Sequence, residues 1–325
     1  NYDVTTANGT LTVTAADISA DAVITLGANP KYNGKEQEIA VNSVTYKGLP
    51  VTFTASGNKA TDAGSYTLTI TATGNFVGTK TADWSIAKRA VTLTSASGSK
   101  VYDGTALKAE SVTVGGDGFA DGEGATYTFT GSQTDVGTSE NGFTYALNGN
   151  TKAGNYDVTT VNGKLTVTAA DISADAVITL GANPKYNGKE QEIAVNSVTY
   201  KGLPVTYTAS GNKATDAGSY TLTITANGNF VGSKTAKWSI GKRAVTLTSA
   251  SDSKVYDGTA LKAESVTVGG DGFANGEGAT YTFTGSQTDV GTSENGFAYT
   301  LNGNTKASNY DVTTANGTLT VTAAD

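Results

Sequence analysis

Cysteine, methionine and histidine are all missing from the 325 residues, and proline occurs only 4 times. Without thiols the chain has no disulfide frame, and without thiols or imidazoles it has no zinc finger, no Cys or His nucleophile and no general base of the commonest kind. Long apolar runs are missing too. The stretch AVITL at 22–26 is typical, far below the roughly 20 residues that a membrane-spanning helix needs. Serines and carboxylates are present, but no base, metal motif or phosphate loop organises them, so no enzymatic activity is expected. The net charge of −7 is spread along the chain without blocks or basic patches, which argues against nucleic acid or an anionic membrane as partner.

What is present is repetition. NYDVTTANGTLTVTAAD at 1–17 returns as NYDVTTVNGKLTVTAAD at 155–171 and again at 309–325, a period of 154 residues. A real period overrides length as a guide to domain count. Glycine is abundant, with 40 residues, and threonine runs through nearly every strand-like segment, the mark of many short strands joined by tight turns. Asn162-Gly163 between two alternating runs is a strong hairpin signal. A two-residue turn there would set Thr160 opposite Leu165, Val158 opposite Val167 and Tyr156 opposite Ala169, with the apolar side chains on one face. Residues 1–17 then read as the C-terminal hairpin of a preceding repeat.

Each 154-residue unit divides into two related halves, giving β domains at 18–89, 90–171, 172–243 and 244–325. Alternation is regular. In SYTLTITA, Tyr66, Leu68, Ile70 and Ala72 share one side and Thr67, Thr69 and Thr71 the other. The sole helix candidate is TALKAESV at 105–112, two turns at most and marginal alone. Junctions such as WSIAKRAVTL run from strand to strand with no Pro/Ser/Gly linker, so a stiff, elongated, monomeric rod is expected, each domain with its own core.

The second half, with its YDG turn, GFADGEGATYTFTGSQTDVGTSENGF and NYDVTTVNGKLTVT, resembles the YDG repeat domain of large bacterial surface proteins. The first half, with YNG and ATDAGSYTLTITATGNFVGTKTADWSI, resembles the companion MBG domain, although Asn33 and Asn187 stand where a YDG domain has Asp. Together the resemblances cover 18–325. They imply secretion, a place on the bacterial cell surface or cell wall, and a stalk role. Two folds compete. DAGSY resembles the corner of immunoglobulin-type sandwiches, where a Tyr bonds back to the preceding turn; here that means Asp62, Gly64 and Tyr66, and Asp216, Gly218 and Tyr220. A β-grasp is the alternative and needs TALKAESV as its helix.

Asp117, Asp121 and Glu123 form an oxygen-rich loop, repeated as Asp271, Asn275 and Glu277, that could hold calcium or simply shape a surface turn. No other cofactor is expected. Asp17 with Asp21, and Asp171 with Asp175, offer a second acidic pair at the junctions. Tyr32-Asn33-Gly34, Tyr102-Asp103-Gly104, Tyr186-Asn187-Gly188 and Tyr256-Asp257-Gly258 are either turns whose Tyr packs on a sheet edge or a row of sugar-binding rings. Lys100 is a nominal candidate for a self-formed Lys–Asn isopeptide bond and Gln133 for a Thr–Gln ester bond. The function expected is a structural spacer of a bacterial adhesin, contacting mainly neighbouring repeats. The alternative is a multivalent weak binder of mucin or host glycans.

Overall fold

A computed structural model describes residues 1–324 and is all-β, with two three-residue 3-10 turns, Ala153–Asn155 and Ala307–Asn309, and no α-helix among the described residues. The chain forms two compact units, residues 1–100 with 105–167 and residues 101–104 with 168–325.

In the first half of unit one, Thr79–Ile86, Gly64–Thr73 and Thr52–Ser56 make an antiparallel sheet in that order, and Ala22–Leu26, Val41–Tyr46 and Leu49–Pro50 make a second. Alternation decides which side chains meet between them. Leu68, Ile70, Trp84 and Ile86 point inward against Val44, Ile39 and Ile18, all buried, while the intervening threonines stay on the wetter face. The Trp84 indole N–H donates to the Gly57 carbonyl at 2.9 Å, so the largest core side chain also has its polar atom satisfied.

The second half places Arg89–Ser95 between Val112–Gly116 and Tyr156–Val161 in one sheet, and Gly163–Thr168 between Gly98–Val101 and Gly137–Asn141 in another. Ala125–Phe129 and Phe143–Leu147 form a separate two-stranded antiparallel sheet. The segment TALKAESV is not helical; Leu107 makes an isolated bridge to Gln133, so the β-grasp alternative lacks its helix. Eight residues could not form a stable helix without a packed face.

The Asn162-Gly163 hairpin is also corrected. Tyr156–Val161 pairs in parallel with Arg89–Ser95, and Gly163–Thr168 pairs antiparallel with Gly137–Asn141. The two segments lie in different sheets, and Asn162-Gly163 is the crossing between them. Their apolar faces are as expected, with Tyr156, Leu165 and Val167 buried, but they meet other strands. Residues 1–15, expected to form the same hairpin, hold no strand and are exposed. The second copy folds this stretch against a strand far upstream of it, Arg89–Ser95. Only Ala16–Asp17 pairs, in parallel with Phe76–Val77.

The cores are not private. One hydrophobic cluster runs from Leu68, Trp84 and Ile86 in the first half to Val91, Leu93, Ala120 and Tyr156 in the second. Unit two repeats it with Leu222, Trp238, Ile240, Val245, Leu247, Ala274 and Tyr310. Strand Thr79–Ile86 leads into Arg89–Ser95 after only two residues, too few to separate two cores.

Candidate functional site: the junction inside each unit

Of the residues that the sequence suggested for ligands, Tyr32, Asp117 and Glu123 converge instead where the two halves of a unit meet. Arg89 begins the strand that opens the second half. Its guanidinium donates through Nε to the Gly118 carbonyl at 2.7 Å, through Nη1 to the Tyr32 carbonyl at 3.3 Å, and through Nη2 to the Asp117 carbonyl. The planar five-donor fork suits this task, because it satisfies carbonyls from three residues at once. Beside it, Lys31 Nζ lies 2.9 Å from Asp117 Oδ2, which also accepts the Ala90 N–H at 3.0 Å. Lys31, first among the causes, holds the Asp117 carboxyl below the usual carboxylate range.

Glu123 lies between two tyrosines from opposite halves. Tyr32 donates to its Oε1 and Tyr156 to its Oε2, the latter at 2.8 Å, while the Tyr156 hydroxyl accepts the Ala120 N–H at 2.9 Å. The rings of Tyr32 and Tyr156 meet edge to face at 5.5 Å, and Phe119 packs on Tyr156 at 5.1 Å. Burial, reinforced by the Glu123 carboxylate, pushes the Tyr32 hydroxyl up to about 12. A third contact sits at the rim. Asp62 accepts from Lys152 Nζ at 2.7 Å and from Asn155 Nδ2 at 3.0 Å, and Asn155 Oδ1 accepts the Ala63 N–H at 2.7 Å. The Asp62 carbonyl accepts the Tyr66 hydroxyl at 2.6 Å, so one corner residue serves both its own sheet and the other half.

Unit two builds the same junction from Lys185 and Asp271, Arg243, Tyr186 with Glu277 and Tyr310, and Asp216 with Lys306 and Asn309. Its corner bond, Tyr220 to the Asp216 carbonyl, is 2.6 Å. Sequence reasoning singled out Tyr32, Asp62, Asp117 and Glu123 and missed Lys31, Arg89, Lys152, Asn155 and Tyr156. The only available signal was that NYD and KRA recur at each period, which does not reveal that they meet.

The calcium reading finds no cage. Asp117 is taken by Lys31, Asp121 is exposed, and Glu123 is taken by two hydroxyls; Asp271, Asn275 and Glu277 are placed alike. Among the described residues no group of three or more acidic side chains is placed to hold a metal. At the other acidic pair, Asp17 accepts the Ser19 N–H at 2.9 Å and its counterpart Asp171 the Ser173 N–H at 2.9 Å, in both cases within a local turn.

The tyrosine turns are turns. Gly34, Gly104, Gly188 and Gly258 have φ of +81°, +78°, +80° and +76°, a region where a side chain is strained. Tyr32 and Tyr186 are buried, Tyr102 packs edge to face on Phe230 at 5.3 Å, and Tyr256 is 43% exposed. Asp257 accepts from Lys254 Nζ at 2.7 Å; Asp103 occupies the matching turn. Gly64 and Gly218 lie against the hydroxyl ends of Tyr66 and Tyr220. Lys100 Nζ donates to Thr105 and Gln133 Nε2 to the Asp135 carbonyl at 2.8 Å.

These pairings set a pH profile. Asp62 and Asp117 have lowered pKa values, so the stability they contribute is present above the ordinary carboxylate value of about 4 and lost progressively as pH falls below it through their lowered folded-state values. Tyr32 and Tyr186 are raised from 10.0 to about 12; their contribution is complete below pH 10 and lost as pH rises toward 12, on the order of 2–3 kcal/mol for each buried hydroxyl. Melting temperature should therefore be flat around neutrality, fall below about pH 4 and fall again above about pH 10. A flat profile up to pH 12 would show that the tyrosine hydroxyls do not hold the junction.

No family model matches the chain, so the MBG and YDG resemblance rests on the quoted motifs. No curated protein matches either. Among solved structures, the chain is similar to the extracellular domain of protocadherin gamma B4 at 10% identity and a TM-score of 0.26, covering 95% of this chain and 65% of that one. It is also similar to Drosophila N-cadherin EC1-4 at 9% identity and a TM-score of 0.19, covering 94% and 93%. The chain thus spans just under two thirds of the protocadherin it matches. Likeness this distant carries no functional inference.

Proposed function

We propose that the chain is a non-enzymatic structural spacer of a bacterial cell-surface adhesin, built from four small β domains fused in pairs, which holds a binding domain away from the cell. The observation that carries this reading is the junction. It engages Tyr32, Asp117 and Glu123, charged and aromatic residues that a ligand site would have used, and it is built twice from the same residues. The two copies differ at 12 of 154 positions, and none of the 12 falls on a junction residue named above. What both copies keep is the fusion of one half to the next, as a spacer requires.

Small-angle scattering of the whole chain tests the proposal. Four domains of about 35–45 Å in line would span on the order of 150 Å, with a radius of gyration of about 40 Å. A compact chain of this length has a radius of gyration of about 20 Å. A value near the compact figure would overturn the spacer.

A further inference from the structure

We propose that the second half of each unit is a mechanical clamp that resists tension along the chain, while the first half yields first. The inference rests on the spacer reading, since only a spacer is pulled through its backbone. In unit two, tension enters the second half at Arg243–Ser249 and leaves through Gly317–Thr322. The entering strand pairs in parallel with Tyr310–Ala315 over six residues, in the register Arg243↔Tyr310 to Thr248↔Ala315. The next strand, Asp252–Val255, pairs in parallel with the leaving strand over four residues, Asp252↔Leu319 to Val255↔Thr322.

When parallel neighbours are pulled, one by its start and the other by its end, they slide past each other along their length. Their evenly spaced hydrogen bonds then share the force and break together. Both sheets of the second half are closed by such a ladder, so neither offers a strand that peels from one end.

The first half is built differently. In unit two its opening strand, Ala176–Leu180, is a sheet edge paired only with the antiparallel Val195–Tyr200, and its closing strand, Ser233–Ile240, is the edge of the other sheet. The two ends are joined by the parallel pair Ala170–Asp171 with Phe230–Val231 and by one bridge between Lys185 and Gly241. Fewer bonds hold these ends together. Forced unfolding follows the unfolding barrier in the pulling direction rather than equilibrium stability, so the two halves can differ in strength while sharing a core.

The chain lacks cysteine, so introduced thiols give unique handles. One full-length variant, Lys242→Cys with Ala323→Cys, pulls the second half of unit two in the sliding direction. Another, Tyr256→Cys with Ala323→Cys, pulls the same fold from one end of the Asp252–Val255 ladder. Both variants are first matched by thermal melting to the parent chain. The expected result is an unfolding force about twofold or more higher for sliding than for peeling. Stretching the parent chain by its termini should show two weaker events before two stronger ones, the stronger each releasing about 3.5 Å per residue of the second half. Equal forces in the two directions, or second halves that open first, would overturn the clamp. Neither outcome depends on the scattering result, so the clamp and the spacer can fail separately.

Discussion

Replacing Glu123 with alanine should lower the melting temperature of unit one by roughly 5–12 °C and leave unit two unchanged. The carboxylate accepts from Tyr32 in one half and Tyr156 in the other. Both tyrosines are buried, so water replaces the lost acceptor poorly. Hydrogen bonds to a charged group contribute about 1.5–3 kcal/mol each, and a buried hydroxyl left without its acceptor loses about that much. Relief of the desolvation of Glu123 offsets part, leaving a loss of about 3 kcal/mol for a unit of some 160 residues. The second copy is a built-in control, because Glu277 still accepts from Tyr186 and Tyr310. Calorimetry should resolve a single transition into two of similar area, and the double variant Glu123→Ala with Glu277→Ala should restore one transition at the lower temperature. An unsplit, unshifted transition would mean that the shared apolar cluster alone joins the halves.

Gly163→Ala should cost more than its surface position in the sequence suggests, about 3 kcal/mol or more. A Cβ there would lie 2.4 Å from both the Ser95 and the Ala96 carbonyl oxygens. Both are backbone atoms, and no rotamer relieves the clash. The site is also a buried polar node. The Gly163 N–H donates to Ser95 Oγ at 2.9 Å, Ser95 Oγ donates to the Asn141 carbonyl at 2.6 Å, and Asn141 Nδ2 donates to the Ala96 carbonyl at 2.9 Å. Moving Gly163 outward would break this chain of bonds. In a two-residue hairpin turn the same substitution would meet only a left-handed backbone, at about 1 kcal/mol. Denaturation of Gly163→Ala beside Gly9→Ala makes the comparison, since nothing lies within 4 Å of a Cβ at Gly9. A loss at Gly163 no greater than at Gly9 would contradict the crossing.

That glycine shows where sequence reasoning stopped. Asn-Gly is a sound local signal for a hairpin, yet the flanking strands satisfy more backbone bonds in two separate sheets than they would with each other. Tyr156–Val161 gains a six-residue parallel partner in Arg89–Ser95, and Gly163–Thr168 gains neighbours on both sides. Many ladder bonds and a buried face outweigh one favourable turn.

The sequence by itself determined the period, the all-β class, the inward faces of strands such as Tyr66 to Ala72, and the local corner from Tyr66 to Asp62. The inward faces rest on spacings of a few residues, where the period-2 geometry of a strand leaves little freedom. The period rests on the 154-residue recurrence, and the corner on its resemblance to that of immunoglobulin-type sandwiches. Tertiary structure alone decided which strands pair, that the pairing closing the second half is parallel, and that Tyr32 and Glu123, 91 positions apart, meet Tyr156 across a common core. Parallel pairing demands a long crossover, and a short local pattern is compatible with many partners at that distance. The physical reason is that alternation says which side of a strand is buried but not what it is buried against.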